Sequence, residues 1–275
     1  MARSRVCCGG RRQCLHAMLL EIDNLTKRFG GLTAVSDVSF GIARGEIVGV
    51  FGPNGSGKTT LLNLIASIYP PTSGRIVWNG QEIQGRKPHE NAAAGVVKTF
   101  QNPQLFVELT AFEHLLIAGH LMLKRRLGWR RVMTLIRRDA GAAGAAVERR
   151  AHELIRLCRL QRVSDEPAAN LSYGEEKMLG VAMALMCEPA LLLLDEPASG
   201  LGHAEIENLE GVLGDLRAEG TTLCIIDHKV SFLGRLADRA ISLQYGKKIA
   251  DGTPEAVLRD PEVIRAYLGL EHAQA

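Results

Sequence analysis

No apolar run in this sequence is long enough to cross a membrane. The longest candidate, LGVAMALMCEPALLLL, is interrupted by Glu188 and Pro189, whereas a membrane span needs about 20 consecutive apolar residues. We therefore interpret this stretch as a buried helix followed by a buried strand. If the protein works at a membrane, we expect other chains to do the spanning.

An excess of charge of one sign is also lacking. The net charge is only +3 over 275 residues, which gives no argument for a nucleic-acid partner. The contents of 46% hydrophobic and 23% charged residues are those of an ordinary globular protein and exclude a disordered or fibrous one. Chains of this length often fold as one α/β core with an added lobe.

Cysteine is too sparse for a disulfide scaffold, with six residues in the chain. The cysteines that lie in apolar helix or strand patterns, and that we predict to be reduced core residues, are Cys158, Cys187 and Cys224. In the segment CCGGRRQCLH, the spacing of Cys7, Cys8, Cys14 and His16 fits no common zinc site. We do not expect a metal cluster there.

The first seventeen residues contain four arginines and no acidic residue. Such a composition could indicate a transit or twin-arginine signal. However, the apolar stretch after Arg12 ends almost at once, at Glu21. We expect residues 1–17 to be a disordered extension or a mis-assigned start, because the sequence from Met18 onward already opens a folded domain.

Hydrophobic periodicity predicts a strand-rich N-terminal region. Alternating apolar residues indicate strands near 19–25 and 34–42, and a continuous apolar run indicates a buried strand in EIVGVFG. A helix is predicted at 58–67, followed by a strand in GRIVWNG. The region therefore contains the order strand, Gly-rich turn, helix.

Residues from about 102 to 188 show a mostly helical pattern, which predicts a helical lobe inserted in the core. Within it, the basic segment 124–138 carries Trp129 and could form an amphipathic helix against anionic lipid. A solvated helix in a variable insertion explains the same charges, and we favour it. The following DAGAAGAA is interpreted as a loose connector.

After the lobe, strands and helices alternate again. The predicted elements are the strand ALLLLD, a helix at 203–219, the strand TTLCIID, a helix at 229–236, the strands AISLQ and KKIAD, and a terminal helix in PEVIRAYLG. Alternating β and α units predict a mainly parallel sheet. The predicted fold class is therefore α/β: a mainly parallel sheet with an antiparallel N-terminal β region, plus the inserted helical lobe.

The segment GPNGSGKT matches the phosphate-loop pattern G-x-x-x-x-G-K-[ST] and lies between a predicted strand and a predicted helix, as this motif requires. Its glycines let backbone N–H groups converge on phosphates at a helix start. Lys58 is predicted to pair with the β and γ phosphates and Thr59 to bind Mg²⁺. The predicted nucleotide-binding residues are Gly52, Asn54, Gly55, Ser56, Gly57, Lys58, Thr59 and Thr60.

The segment LLLLDE ends a buried strand with two carboxylates, at the sheet edge where the phosphate loop also emerges. We predict that Asp195 holds Mg²⁺ and that Glu196 acts as the general base on the attacking water. The alternative is an acidic first turn capping a helix. Pro197 and the apolar strand before the pair argue against that alternative.

A phosphate loop alone also fits a kinase or a GTPase, but the guanine-reading sequence N-K-x-D is absent. The segment LSYGE, Leu171 to Glu175, stands about twenty residues before LLLLDE. This pairing resembles the ATP-binding cassette family, whose signature is close to Leu-Ser-Gly-Gly-Gln. Alone, a Ser-Gly helix cap would explain the segment.

The resemblance implies a P-loop nucleotide hydrolase core in which two cassettes pair head to tail and each signature closes on the nucleotide of the other. Ser172 would then donate to a γ-phosphate, and Gly174 would allow close backbone approach. By the same resemblance, Phe29 stacks on adenine and Gln101 senses Mg²⁺ as a further metal ligand. His228 matches the switch histidine near the γ-phosphate and is counted with Lys58 and Glu196 as catalytic.

The resemblance covers about 18–270, which we treat as a single ATPase domain. The segments KRFGGLTAVSDVSF and VVKTFQNPQLF and the ending at about 246–270 are most similar to ATPase subunits of branched-chain amino acid importers and their urea and amide relatives. This implies a second cassette, identical or different, two transmembrane permease subunits and, indirectly, a periplasmic binding protein. It places the chain at the cytoplasmic face of the inner membrane.

Several positions depart from the family pattern. Tyr173 replaces the first signature glycine, and Gly202 stands where Asp or Asn usually contacts the opposing phosphate loop. Met178 and Met183 replace arginines, and Lys229 replaces a frequent Asp. These changes remove polar contacts, so we expect weaker communication between the two sites while hydrolysis at this chain's own loop is retained.

Two other classes of function remain open. One is a soluble cassette ATPase working on ribosomes or DNA, although such proteins usually carry two cassettes or large insertions. The other is a regulatory subunit that binds nucleotide with weak hydrolysis, which Gly202 and the missing arginines would suit.

Overall fold

The computed structural model describes residues 18–119 and 140–268. The N-terminal extension, the Cys7 to His16 segment and the basic segment 124–138 lie outside these ranges. Within them, no helix has the length and apolar character that a membrane crossing requires.

The N-terminal region forms an antiparallel sheet of four strands in the order β2-β1-β4-β5. Their bounds are β1 Met18–Phe29, β2 Leu32–Ala43, β4 Ser73–Trp78 and β5 Gln81–Glu82. In β1, Leu20 and Ile22 are buried while Glu21 is exposed, so one face packs on the core and the other meets solvent. The strands predicted at 19–25 and 34–42 are confirmed and are longer than expected.

The second sheet has six strands in the order β10-β9-β3-β8-β7-β6. Their bounds are β3 Ile47–Phe51, β6 Val96–Lys98, β7 Leu191–Asp195, β8 Thr222–Ile226, β9 Arg239–Gln244 and β10 Lys247–Gly252. All neighbours pair in parallel except β9 and β10. The predicted parallel sheet is confirmed, but β6 was not predicted, because three residues are too short for a periodic signal.

The central strands are apolar throughout because both faces of this sheet are buried. In β3, Ile47 and Phe51 belong to one hydrophobic cluster, whereas Val48 and Val50 belong to the other. Successive side chains of a strand point to opposite faces, so a continuous apolar run fills both clusters. This explains the runs IVGVF and LLLLD.

Nine helices lie within the described ranges: α1 Lys58–Ile65, α2 Pro88–Ala94, α3 at 111–119, α4 Ala140–Leu157, α5 Tyr173–Leu185, α6 His203–Ala218, α7 Val230–Leu236, α8 Pro254–Leu258 and α9 Pro261–Leu268. The helices predicted in the core begin and end within two residues of α1, α6 and α7. In the described part of 102–188, helices and 3-10 turns dominate, with one isolated bridge between Thr110 and Pro167. The prediction of a loose connector in DAGAAGAA is wrong: α4 begins at Ala140, because the alanines favour a helix despite the two glycines.

The carboxyl ends of β3, β7 and β8 lie side by side at one edge of the sheet. Val50 pairs with Ile226, and Asp195 pairs with Ile226 on the other side of β8. The segments that follow these strands therefore meet at this edge, which is where open α/β sheets bind ligands.

Candidate active site

The loop after β3 is shaped by glycines that no other residue could replace. Gly52 has φ 154° and Gly57 φ 101°. A Cβ on Gly52 would lie 2.1 Å from the carbonyl oxygen of Leu243, and one on Gly57 would lie 2.3 Å from that of Ala34. The loop is therefore pressed against β2 and β9, with its backbone free to face a ligand.

Lys58, the first residue of α1, points back onto its own loop. Its Nζ donates to the carbonyl oxygen of Gly52 at 2.8 Å and of Pro53 at 3.0 Å. Burial lowers the pKa of the Lys58 ammonium, and the carboxylates of Glu196 and Asp195 oppose that shift. A buried cation with carboxylates nearby is an arrangement suited to binding phosphate oxygens.

Thr59 and Asp195, the two residues predicted to bind Mg²⁺ in the sequence motifs, face each other. Thr59 Oγ1 donates to Asp195 Oδ1 at 3.4 Å. The other carboxylate oxygen, Oδ2, lies 2.9 Å from Nζ of Lys98. Asp195 is 5% exposed, so its charge is held by these partners rather than by bulk water.

Glu196 and Gln101 also meet. Gln101 Nε2 donates to Glu196 Oε2 at 2.7 Å. Glu196 adopts a left-handed backbone conformation with φ 50°, and its N–H donates to the carbonyl oxygen of Ile226 at 2.8 Å. A strained conformation held by the neighbouring strand is a feature of functional sites.

His228 follows β8, beside a buried carboxylate. Asp227 is fully buried and accepts hydrogen bonds from the N–H groups of Ala198 and Lys229, both at 2.9 Å. His228 Nδ1 lies 3.7 Å from Asp227 Oδ1, and its side chain is half exposed. The distance exceeds that of a hydrogen bond, so the imidazole is not fixed by Asp227.

An open cleft of about 560 Å³ borders the loop. Among the predicted site residues, those lining it are Asn54, Gly55, Ser56, Gly57, Lys58, Thr59, Thr60 and Glu196. Phe29 is not among the lining residues. Its ring, 42% exposed, packs edge to face on Tyr69 with centroids 5.4 Å apart, and Lys27 Nζ lies 4.8 Å from its centre.

Ser172 and Gly174 border a different cleft, of about 610 Å³, whose described lining shares no residue with the first. Ser172 caps α5: its Oγ accepts from the Glu175 N–H at 3.3 Å and donates to Glu175 Oε2 at 2.8 Å. Behind Gly174, Glu205 comes so close that a Cβ would meet its Oε1 at 2.1 Å. The two clefts are therefore separate within one chain.

Comparison with known proteins identifies the family. Residues 35–199 match the family model described as ABC transporter, which is more than half of the chain. The chain belongs to this family. Residues 247–273 match a second model, described as Branched-chain amino acid ATP-binding cassette transporter. The resemblance stated from the sequence is confirmed.

Two similar proteins align with most of this chain. It is 39% identical over 254 residues to the high-affinity branched-chain amino acid transport ATP-binding protein BraF of Pseudomonas aeruginosa, covering 91% of this chain and 98% of that protein. It is also 39% identical over 252 residues to the high-affinity branched-chain amino acid transport ATP-binding protein LivG of Escherichia coli. This alignment covers 91% of this chain and 98% of that protein.

Solved structures share the fold. The ADP conformation of MJ1267, an ATP-binding cassette of an ABC transporter, aligns with TM-score 0.78 and 29% identity over 92% of this chain and 99% of that one. A dimeric, post-hydrolysis cassette, MJ0796 bound to ADP and Pi, aligns with TM-score 0.72 and 25% identity over 86% and 98%. The predicted α/β cassette fold is confirmed.

The residues that depart from the family pattern have specific surroundings in this cassette. Met178 is buried, and Met183 packs against the same hydrophobic cluster. Lys229 Nζ donates to the carbonyl oxygen of Leu201 at 3.2 Å. Gly202 is the N-cap of α6, and the nearest atom to an added Cβ would be Glu205 Oε2 at 3.6 Å. Space for a side chain is therefore present at this position.

Sequence reasoning missed three residues of the site. Lys98 pairs with Asp195, and Tyr245 lines the phosphate-loop cleft. Lys177 donates to the carbonyl oxygens of Glu196 at 2.9 Å and Ser199 at 2.8 Å. Burial lowers the pKa of Lys177, and Asp227 opposes the shift. Lys177 could have been found from the sequence, because it lies within an apolar helical pattern and a buried lysine requires partners.

The cleft fits a nucleotide with Mg²⁺. Ser56 Oγ is buried at the loop and has no hydrogen-bond partner in the described part of the chain, which suits a hydroxyl that serves a ligand. Thr59 and Asp195 offer the oxygen ligands that Mg²⁺ prefers. Among the described residues, no group of three or more His, Cys, Asp or Glu could hold a metal ion.

Proposed function

We infer that this cassette is the ATP-hydrolysing subunit of an ABC importer for branched-chain amino acids or related amides or urea. The observation that carries the proposal is the convergence at one sheet edge of Thr59 with Asp195, and of Gln101 with Glu196, beside the phosphate loop. This arrangement supplies the two functions that phosphoryl transfer needs, charge stabilisation and an oriented nucleophile.

Each residue has a distinct role in this proposal. The N–H groups of the phosphate loop and Lys58 hold the β and γ phosphates, and Thr59, Asp195 and Gln101 hold Mg²⁺. When bound, the cation neutralises charge that develops on the phosphate oxygens. Glu196 accepts the proton of the attacking water, and Gln101 helps to hold this water in place.

The separate signature cleft supports a head-to-tail pair of cassettes. Ser172 and Gly174 do not border the phosphate-loop cleft of their own chain, so in this proposal they close on the nucleotide bound by a partner cassette. Ser172 donates a hydrogen bond to the γ-phosphate of that nucleotide. To do so, its hydroxyl breaks the hydrogen bond that it donates to Glu175 Oε2. His228, which Asp227 leaves unfixed, turns to the γ-phosphate of its own cleft. Phe29, the last residue of β1, contacts the adenine.

Transport follows from the named relatives and from the C-terminal match. In this proposal, the cassette binds beneath two transmembrane permease subunits at the cytoplasmic face of the inner membrane. A periplasmic binding protein delivers the substrate. Binding of ATP closes the dimer and hydrolysis reopens it.

A second candidate is a regulatory subunit that binds nucleotide with weak hydrolysis. The observation that favours it is Gly202, which supplies no side chain to an opposing site although the space for one exists. In that case the partner cassette carries most of the hydrolysis.

One experiment separates these candidates. We would tag the chain, isolate it from native membranes with its partners, and measure ATPase with and without substrate and binding protein, for the native chain and for Glu196→Gln. In a working ATPase, loss of the general base should lower turnover by about 10²-fold or more. Glu219→Gln, at the exposed far end of α6, is the matched control and should leave turnover unchanged.

The possible results point in different directions. A second cassette and two permease subunits in the assembly, with substrate-stimulated turnover lost in Glu196→Gln, support the importer subunit. An assembly whose turnover is unaffected by Glu196→Gln supports the regulatory subunit. Isolation with ribosomes or nucleic acid in place of permeases would contradict both.

A further inference from the structure

The C-terminal helix α9 reaches the start of the phosphate loop. Val263 and Tyr267 are four residues apart and so share one face of the helix. Val263 is 2% exposed and belongs to the hydrophobic cluster that also contains Phe51, the last residue of β3. Val263 thus anchors α9 in the hydrophobic core, where the helix packs against β10 and α8.

Tyr267 makes the contact with the loop itself. The centres of the Tyr267 and Phe51 rings are 6.2 Å apart, with their planes tilted by 44°, within the range of a favourable aromatic pair. Burial raises the pKa of the Tyr267 hydroxyl, and a hydrogen bond with the backbone of Gly52 lowers it. One side chain therefore contacts both residues at the junction of strand and loop.

Gly52 links this contact to the phosphate-binding lysine. Its carbonyl oxygen accepts the hydrogen bond from Lys58 Nζ at 2.8 Å. Its backbone has φ 154°, a conformation that must be held by its surroundings, because glycine itself imposes little restriction. Tyr267 therefore contacts the residue whose carbonyl oxygen positions Lys58.

We propose that Tyr267 is a positioning residue for the phosphate loop, through which the C-terminal helix sets the affinity of this cassette for ATP. The inference rests on the proposed function, since it requires that the loop bind nucleotide. Tyr267 lies in the part of the chain, 247–273, that matches the family model described as Branched-chain amino acid ATP-binding cassette transporter. Without the contacts of Tyr267, the loop is free to sample conformations that bind phosphate less well.

The test measures ATP affinity of the full-length chain with Mg²⁺, using a fluorescent ATP analogue and competition by ATP at a temperature where every variant is folded. Tyr267→Ala removes both contacts and should raise the Kd by about fivefold or more, the size of losing one to two weak interactions. Tyr267→Phe keeps the ring and should recover part of the affinity. Ile264→Ala, on an exposed position of the same helix, is the matched control.

Thermal unfolding without nucleotide distinguishes positioning from general stability. A purely structural role for Tyr267 lowers the Tm of the nucleotide-free chain and leaves the Kd at its native value, and that result would overturn the proposal. A Kd change of equal size in Ile264→Ala would overturn it as well. If the native chain binds no nucleotide, the proposed function fails first; if it binds and Tyr267→Ala binds equally well, only this inference fails.

Discussion

Lys98 and Asp195 form an ion pair with 2.9 Å between Nζ and Oδ2, and their side chains are only 6% and 5% exposed. Lys98 ends β6 and Asp195 ends β7, and these strands are parallel neighbours in the sheet. With Oδ2 held by Lys98, Oδ1 faces Thr59. The proposed metal ligand is therefore oriented by a cation from the adjacent strand.

We expect Lys98→Met to destabilise the chain, because it leaves the Asp195 charge buried without its main partner. The loss should be roughly 3 kcal/mol in the free energy of unfolding, as for other broken buried pairs, and urea denaturation measures it. Lys98→Arg keeps the charge and should lose less. Arg75→Met removes an exposed pair with Asp23, in which the two side chains are 59% and 42% exposed, and should cost under about 1 kcal/mol. Equal losses in Lys98→Met and Arg75→Met would contradict the role of burial.

Local sequence patterns predicted the strands, the phosphate loop and the two carboxylates, since each depends on neighbours in the chain. The Lys98–Asp195 pair joins residues 97 positions apart, and no local pattern contains it. Strand β6 was missed for a related reason: its three residues gain their structure from pairing with β7.

The environment of Phe29 shows a second limit of sequence reasoning. Its position matched that of an adenine-stacking aromatic, but no local pattern predicts that the ring packs on Tyr69. Tyr245, which lines the cleft, lies in the turn between β9 and β10, where an exposed tyrosine carries no periodic signal. Which face of a ring is free depends on tertiary packing.

Tyr173, which replaces the first signature glycine, packs against the loop after β7. A Cβ on Gly200 would lie 2.6 Å from Cε1 of the Tyr173 ring, and Gly200 has φ 78°. Gly200→Ala should therefore cost about 2 kcal/mol in the free energy of unfolding, from backbone strain and the clash together.

Gly214→Ala is the matched control, because it lies within α6 with open space around it. It should stabilise the chain by up to about 1 kcal/mol. Adding Tyr173→Gly to Gly200→Ala should recover the part of the loss that comes from the ring. Failure of any recovery would show that the backbone strain alone is responsible.

The buried thiols of Cys158 and Cys224 should be unreactive in the folded chain. Burial raises the pKa of each to about 12 from an ordinary value of 9.0, and the thiolate is the reactive form. Mass spectrometry after iodoacetamide treatment at pH 8 should find both unmodified until the chain is unfolded. Rapid modification of either in the native state would contradict the predicted burial.

The same shift predicts a dependence of stability on pH. Above pH 9 the unfolded thiols release protons while the folded thiols keep theirs, so the unfolded state is favoured and stability falls as the pH rises from about 9 towards 12. Cys224→Val removes one such group and should flatten the fall, measured by urea denaturation between pH 8 and 10.5. An identical slope in both chains would contradict the shift at Cys224.

Gly202→Asn should strengthen communication between the two cassettes without changing the fold. Gly202 is the N-cap of α6, with φ −74° and ψ 172°, a conformation that any residue adopts at a helix N-cap. The nearest neighbour of an added Cβ lies at 3.6 Å. Asn for Gly at such a position changes stability by only a few tenths of a kcal/mol. In the assembled complex we expect a higher ATPase rate and steeper cooperativity in ATP, because in the proposed head-to-tail pair the amide would contact the opposing phosphate loop. Gly144→Asn in α4, where space is also open, controls for the added side chain, and an unchanged rate and cooperativity in Gly202→Asn would show that the glycine does not limit coupling.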